Sequence, residues 1–196
     1  MIDFLESHYA PQNGLKALDL GCGGGRHSEL LAAYGFDLDS VDVNPAMLEK
    51  TAVRLKAKNL EGNVQNGSIL KLPFKDERFD IVVATGVLHQ AKSIDEYKAA
   101  ISELGRVTAP SGAVLLNIFT NDVWDDSYKT LDDTHNAVIT KEGPGMTLLS
   151  KESFVQYMND ARFNLEVDYG VDIKQENTGA RAVFRAVFRK EAKGAS

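Results

Sequence analysis

The 196-residue chain has a single cysteine, Cys22, so neither an internal disulfide framework nor a multi-cysteine zinc centre is open to it. A reducing, cytoplasmic setting is the expectation that follows. Long apolar runs are also missing: nothing approaches the roughly 18 residues of a membrane span. The opening stretch MIDFLESHYA lacks the basic start and apolar block of a secretory signal. Positive charge is in deficit, 22 Lys and Arg against 28 Asp and Glu for a net charge of −6. That balance repels a phosphate backbone unless a local patch overrides it. The one dense basic stretch, Arg181, Arg185, Arg189, Lys190 and Lys193, spaces three arginines evenly along a strand-like segment, as a solvated strand face does. Nucleic acid is therefore not an expected partner. No repeat, linker or low-complexity segment divides the chain, and 43% hydrophobic residues over this length suit one domain, residues 1–196, with a core of its own.

What is present is a glycine loop. The apolar run Leu15 to Leu20 ends in Gly21-Cys22-Gly23-Gly24-Gly25-Arg26, and an apolar-periodic segment with Leu30, Leu31, Ala32 and Ala33 follows at once. This order predicts a strand, a tight turn and a helix. Glycine permits positive φ at the turn and lets a ligand lie on the backbone, and the helix directs its unpaired N–H groups at that ligand. A dinucleotide fingerprint G-x-G-x-x-G/A needs a small third residue, yet counting from Gly21 that place holds Arg26. The pattern acidic-x-Gly-x-Gly-x-Gly fits instead, with Asp19, Gly21, Gly23 and Gly25.

The remaining chain reads as alternating strands and helices. Residues 1–10 form a short amphipathic helix, which either closes over a ligand as a lid, with Tyr9 as the lid residue, or packs on the core. Asp37 to Val43 is strand two, ending in Asp42 and Val43. Asn44 caps the next helix with Pro45 at its first position, leaving Asp42 free to accept two hydrogen bonds from a cis-diol. That helix runs to Lys58, a weak third strand lies near Val64, and Ile81 to Ala84 is a buried parallel strand ending in Thr85-Gly86. A helix from Ile94 to Val107, a turn over residues 109–112 and a fifth strand from Ala113 to Phe119 come next. Residues 120–150, with Trp124, Tyr128 and His135, read as an irregular insertion at the ligand-binding edge and as a substrate cap. Ser150 caps a last helix, and Phe163 to Ile173 with Ala180 to Phe188 form a closing antiparallel pair.

The glycine loop, Asp42, the segment Gly67-Ser68-Ile69-Leu70-Lys71-Leu72-Pro73-Phe74, and Phe79-Asp80-Ile81-Val82 followed by Leu88-His89 stand in an order that resembles the class I S-adenosylmethionine (SAM)-dependent methyltransferases. The resemblance implies an α/β fold: a doubly wound, mostly parallel seven-stranded sheet of order 3-2-1-4-5-7-6 with a C-terminal antiparallel hairpin. It implies SAM as cofactor and a small-molecule methyl acceptor as partner. Asp19 would take the methionine amino group directly or through water. Gly21, Cys22, Gly23 and Gly25 would line the methionine and ribose, Asp42 and Val43 the ribose edge, Ser68 and Ile69 the adenine, and Thr85 the methionine end. Ser68 stands where the family commonly has an acid.

Methyl transfer from a sulfonium is an in-line displacement with a good neutral leaving group. Orientation therefore supplies most of the catalysis, up to about 7–11 kcal/mol of barrier, and a base is needed only where the nucleophile must lose a proton. Ala84-Thr85-Gly86-Val87 is not the Asn/Asp-Pro-Pro-aromatic motif of the family's nucleic-acid amino-methylating enzymes. Cys22 lies inside the cofactor loop, not where a cytosine nucleophile stands, and no metal-ligand spacing occurs. His89 and His135 are the candidate acid–base residues, His89 with a structural alternative. Two other readings stay open: a non-catalytic SAM-binding module and a NAD(P)-dependent oxidoreductase, the second opposed by Arg26.

Overall fold

The computed structural model describes residues 2–11, 14–123, 129–130, 137–139, 145–176 and 179–194. Helix α1 (Ile2–His8) precedes β1 (Lys16–Leu20), α2 (Arg26–Ala33), β2 (Asp37–Asp42), α3 (Pro45–Ala57), β3 (Asn63–Asn66) and β4 (Phe79–Thr85). A 3₁₀ turn (Leu88–Gln90) leads to α4 (Ile94–Val107) and β5 (Thr108–Thr120). Beyond them lie β6 (Lys129–Thr130), β7 (Ala137–Ile139), β8 (Thr147–Leu149), α5 (Lys151–Asp160), β9 (Phe163–Glu176) and β10 (Gly179–Lys190).

The strands that build the principal sheet lie in the order β3-β2-β1-β4-β5-β10-β9, parallel through β5 and antiparallel for the last two. This is the doubly wound seven-stranded order that the family resemblance implies. The central strands are buried on both faces, so their apolar residues divide by alternation. Ala17, Ile81, Val83 and Leu115 pack beneath α1, α2 and α3 with Phe4, Leu5 and Leu31. Leu18, Val82, Ala84 and Val114 pack beneath α4 and α5 with Tyr97, Leu104 and Phe154.

Helix starts follow the local chemistry. Asn44 accepts from Ala46 N at 3.0 Å with Pro45 at the first helical position. Ser93 and Ser150 accept from Glu96 N and Ser153 N, each at 3.1 Å, which satisfies N–H groups that the helix itself cannot.

Two expectations are corrected. The turn at residues 109–112 does not precede β5 but lies within it as an irregularity: Thr108 pairs with Phe79 and Ala113 with Ile81, and the backbone between bends out with Ser111 at φ 61°. Residues 120–150 are not wholly irregular, because β8 and β6 flank β7 antiparallel and β8 meets the end of β5 at Thr120 and Leu149. Short β-branched runs in a polar stretch suffice once β5 supplies an edge to pair with. Trp124, Tyr128 and His135 lie outside the described residues. For α1 the sequence leaves two readings open, and Tyr9 shows core packing. Helix α1 packs on the core through Phe4 and Leu5, and Tyr9 stands edge-on to Phe36 at 5.4 Å, at the foot of β2. That end of the sheet is opposite the glycine loop, and there Tyr9 packs on the core.

Candidate cofactor and acceptor site

The loop after β1 is held from below by the strand and helix that follow it. Gly21 N and Cys22 N both donate to Val41 O at 2.9 Å. Thr51 Oγ1 on α3 donates to Gly23 O at 2.8 Å, and Arg54 Nε to Gly24 O at 2.7 Å. Gly25 is the N-cap of α2 at φ 75°, and a Cβ there would stand 2.9 Å from Thr51 Oγ1. Its absence thus serves close loop–helix packing as well as the left-handed turn. Gly21 is similar, at φ 68° with Val87 2.9 Å from an added Cβ. Above Gly23 and Gly24 a Cβ would meet nothing within 4 Å, so the loop's outer face is open backbone on which a ligand can rest. Cys22 belongs to the underside: it is buried, its Sγ accepts from Thr51 Oγ1 at 3.5 Å, and burial pushes its thiol up to about 11.

Asp42 is not free in the sense expected. Its Oδ2 accepts from Gly23 N and its Oδ1 from Asn44 N, both at 2.9 Å, so the carboxylate ties the end of β2 to the glycine loop. A carboxylate has about four acceptor positions, and two remain for hydroxyl donors. Val43 beside it is 65% exposed, an apolar surface at the same edge. The segment Ser68 to Lys71 closes on itself as a turn, Lys71 N donating to Ser68 O at 2.9 Å and Leu70 N to Ser68 Oγ at 3.2 Å. Its neighbour Gly67 N donates to Asp42 O at 3.2 Å, which brings Ser68 and Ile69 alongside Asp42 and Val43. Ile69 is partly buried against the core.

Asp19 lies under the loop, 1% exposed, accepting from Ser28 Oγ at 2.6 Å, while Ser40 Oγ donates to Ser28 Oγ at 3.0 Å. Burial raises its carboxyl to about 6, with the hydrogen bonds from Ser28 acting the other way.

Thr85 ends β4, two residues beyond the Asp19–Val83 pairing of β1 and β4, and so emerges level with the glycine loop. Its Oγ1 is hydrogen-bonded to Nδ1 of His27 at 2.9 Å. Beside this pair a cavity of about 500 Å³ opens at the carboxyl ends of β4 and β5, a volume within the range of small-ligand sites. Leu115 and Val187 supply apolar surface, and His27, Thr85 and Asn117 line the side nearest the loop. Tyr169, Asp172 and Arg185 line the far side, with Arg185 and Asp172 paired to each other. Sequence reading missed His27. The signal was a histidine two residues after the last glycine, on the first turn of the helix.

His89 is 3% exposed, stacked on Phe119 at 4.2 Å between ring centres, and its Nδ1 accepts from Phe119 N at 3.2 Å. Burial brings its pKa down to about 4. A ring whose Nδ1 lone pair is taken and which is neutral carries its proton on Nε2. It pins the turn after β4 to β5.

The sequence profile of a methyltransferase domain matches residues 18–116, from β1 to within β5. The chain is 26% identical over 117 residues to a ubiquinone biosynthesis O-methyltransferase of Rickettsia felis, covering 60% of this chain and 46% of that protein. It is 32% identical over 118 residues to a malonyl-[acyl-carrier protein] O-methyltransferase of Erwinia billingiae, covering 60% and 44%. The chain thus spans about half the length of the curated relatives it matches. Among solved structures, a SAM-dependent methyltransferase of Methanosarcina mazei superposes with a TM-score of 0.75 at 19% identity, over 97% of this chain and 98% of that one, which establishes the shared fold. With the matched profile covering half of the chain and the fold agreeing along nearly all of it, the chain belongs to the class I SAM-dependent methyltransferase family.

Proposed function

We propose that this protein binds SAM across the carboxyl ends of β1, β2 and β4 and catalyses methyl transfer to a small-molecule acceptor, with oxygen as the favoured attacking atom. The observation that carries this reading is the joint formed by Asp42 and Gly23: a strand-end carboxylate with unused acceptor positions next to glycine backbone that nothing covers. The ribose hydroxyls would donate to Asp42. Val43, Ser68 and Ile69 would flank the adenine, Ile69 through its backbone N–H and apolar body. The methionine end would lie over Gly21 and Gly23 toward Thr85. Asp19 would meet the methionine ammonium, directly or through water, and its buried negative charge is what a cation over the loop would compensate. When bound, SAM supplies an electrophilic methyl group whose leaving group departs as a neutral thioether. The chain's own part is to hold that methyl in line with the acceptor, and the cavity beyond Thr85 is where the acceptor would sit. The two O-methyltransferase relatives favour an oxygen acceptor.

His89 is not the base in this reading, since the proton it holds is on the nitrogen left over from Phe119. His135, the other sequence candidate, lies outside the described residues.

Calorimetric titration with S-adenosylhomocysteine (SAH) tests the proposal. Binding is expected, with an affinity reduced about tenfold or more in Asp42→Ala, as for loss of hydrogen bonds to a charged group. NADH is expected to give no heat. Binding of NADH in place of SAH would refute the assignment.

A further inference from the structure

Among the described residues, the cavity beyond Thr85 holds one imidazole, and neither the core nor an ion pair accounts for it. His27 sits in the first turn of α2, lines the cavity, and uses only Nδ1, toward Thr85 Oγ1 at 2.9 Å. Its Nε2 has no hydrogen-bond partner among the described residues. We infer that His27 is the proton acceptor of the reaction, its Nδ1–H donating to Thr85 and its Nε2 lone pair receiving the proton of a neutral hydroxyl acceptor bound in this cavity; this rests on the methyltransferase reading above.

Three observations support the assignment. First, the location is right: Thr85 pairs with Asn117 on β5 and stands level with the glycine loop, so a base here lies between the predicted methionine end and the cavity. Second, the competing groups are engaged or mismatched. Asp172 of β9 is paired with Arg185 of β10, Tyr169 of β9 offers a phenol, whose O–H is a donor, and Asp3 of α1 is exposed. A carboxylate in water is too weak a base to deprotonate a hydroxyl with profit. Third, the ring is held neutral. Burial and Arg26 beside it lower its pKa from the usual 6.5, and the positive end of α2 acts in the same direction. A neutral imidazole can take a proton, whereas an imidazolium cannot.

The proposed step balances without a further reactant. The acceptor's O–H bond breaks with its proton passing to His27 Nε2, the oxygen lone pair forms the new bond to the methyl carbon, and the C–S pair leaves with sulfur. The imidazolium then gives its proton to water. An acceptor that must shed a proton is thus implied, in preference to a group that attacks without losing one.

Imidazole NMR of ¹⁵N-histidine-labelled protein tests this without knowing the acceptor. The four histidines keep the spectrum simple, and His27→Gln assigns the resonance. In the SAH complex at about pH 7.5, His27 is expected to be neutral with its proton on Nδ1 and to titrate below 6.5. Thr85→Val is expected to move the proton toward Nε2. Replacing SAH by sinefungin, which carries an amine where the donor carries its methyl, is expected to lower the His27 pKa further, because a cation placed there would repel imidazolium. An Nε2–H tautomer, a charged ring at that pH, or identical titration in the two complexes would overturn the role of His27. Failure of SAH to bind at all would instead overturn the methyltransferase reading on which it rests.

Discussion

Asp19 illustrates how a single residue trades stability for function. It is 1% exposed with one serine supplying its hydrogen bonds, and its carboxyl is raised from 3.8 to about 6. A carboxyl with a folded pKa above its unfolded one binds its proton more tightly when folded. Its favourable contribution is therefore complete below about 3.8 and is lost as pH rises through about 6. The loss amounts to about 3 kcal/mol above that range. Asp19→Asn keeps an oxygen to accept from Ser28 and removes the charge. Denaturant titrations should show the variant more stable by about 2–3 kcal/mol at pH 8, with the gain gone near pH 4; parallel pH profiles for the two proteins would contradict this. A carboxylate kept in so unfavourable a place is characteristic of functional sites, and the same charge is the proposed partner of the methionine ammonium.

At the scale of elements, the glycine loop and helix α3 work as one unit. Thr51 and Arg54 on α3 donate to Gly23 O and Gly24 O, and Gly25 has no room for a side chain against Thr51 at a φ of 75°. Gly24 differs: its φ is not in the left-handed region and a Cβ would meet nothing within 4 Å. Gly25→Ala should therefore cost about 1–3 kcal/mol of stability and weaken SAH binding, while Gly24→Ala should unfold as the parent does. Equal stability of the two variants would remove the argument that α3 sets the loop. The C-terminal hairpin shows a related economy. Arg189 forks onto both oxygens of Glu166 at 2.7 and 2.9 Å, and Arg185 pairs with Asp172. Two of the arginines that the sequence grouped into a basic stripe are thereby spent on cross-strand ion pairs within the hairpin.

For the molecule as a whole, Phe154 joins the closing hairpin to the parallel sheet. Fully buried on α5, its ring stands 6.1 Å from Tyr97 of α4 and 6.2 and 5.8 Å from Phe184 and Phe188 of β10. Phe154→Ala should cost about 3–5 kcal/mol and lower the melting temperature by roughly 10 °C in a single transition. A two-step melt in differential scanning calorimetry would show instead that the hairpin docks independently. None of the described helices is long and apolar enough to cross a membrane.

The buried strand Ile81 to Ala84, the helix caps at Asn44 and Ser150 and the glycine turn were legible in the residues themselves, whereas the doubly wound order came from the family resemblance and the Ser93 cap appears only in the fold. Each legible feature depends on neighbours within a few positions: an unbroken apolar run, capping spacing, and the backbone angles that only glycine takes easily. The bend inside β5 and the short strands of the 120–150 segment were not legible, because they exist only where β4 and β5 offer partners. The same holds for the site. The sequence alone marked Asp42 as a strand-end carboxylate, but that it would grip Gly23 depended on how β2 lies beside β1. His27, Thr85, Asn117, Asp172 and Arg185 come from five separate elements, and nothing in their spacing foretells a shared cavity. Only the stacking of α2, β4, β5, β9 and β10 brings them together, because packing and long-range strand pairing, not local propensity, determine which distant side chains face one another.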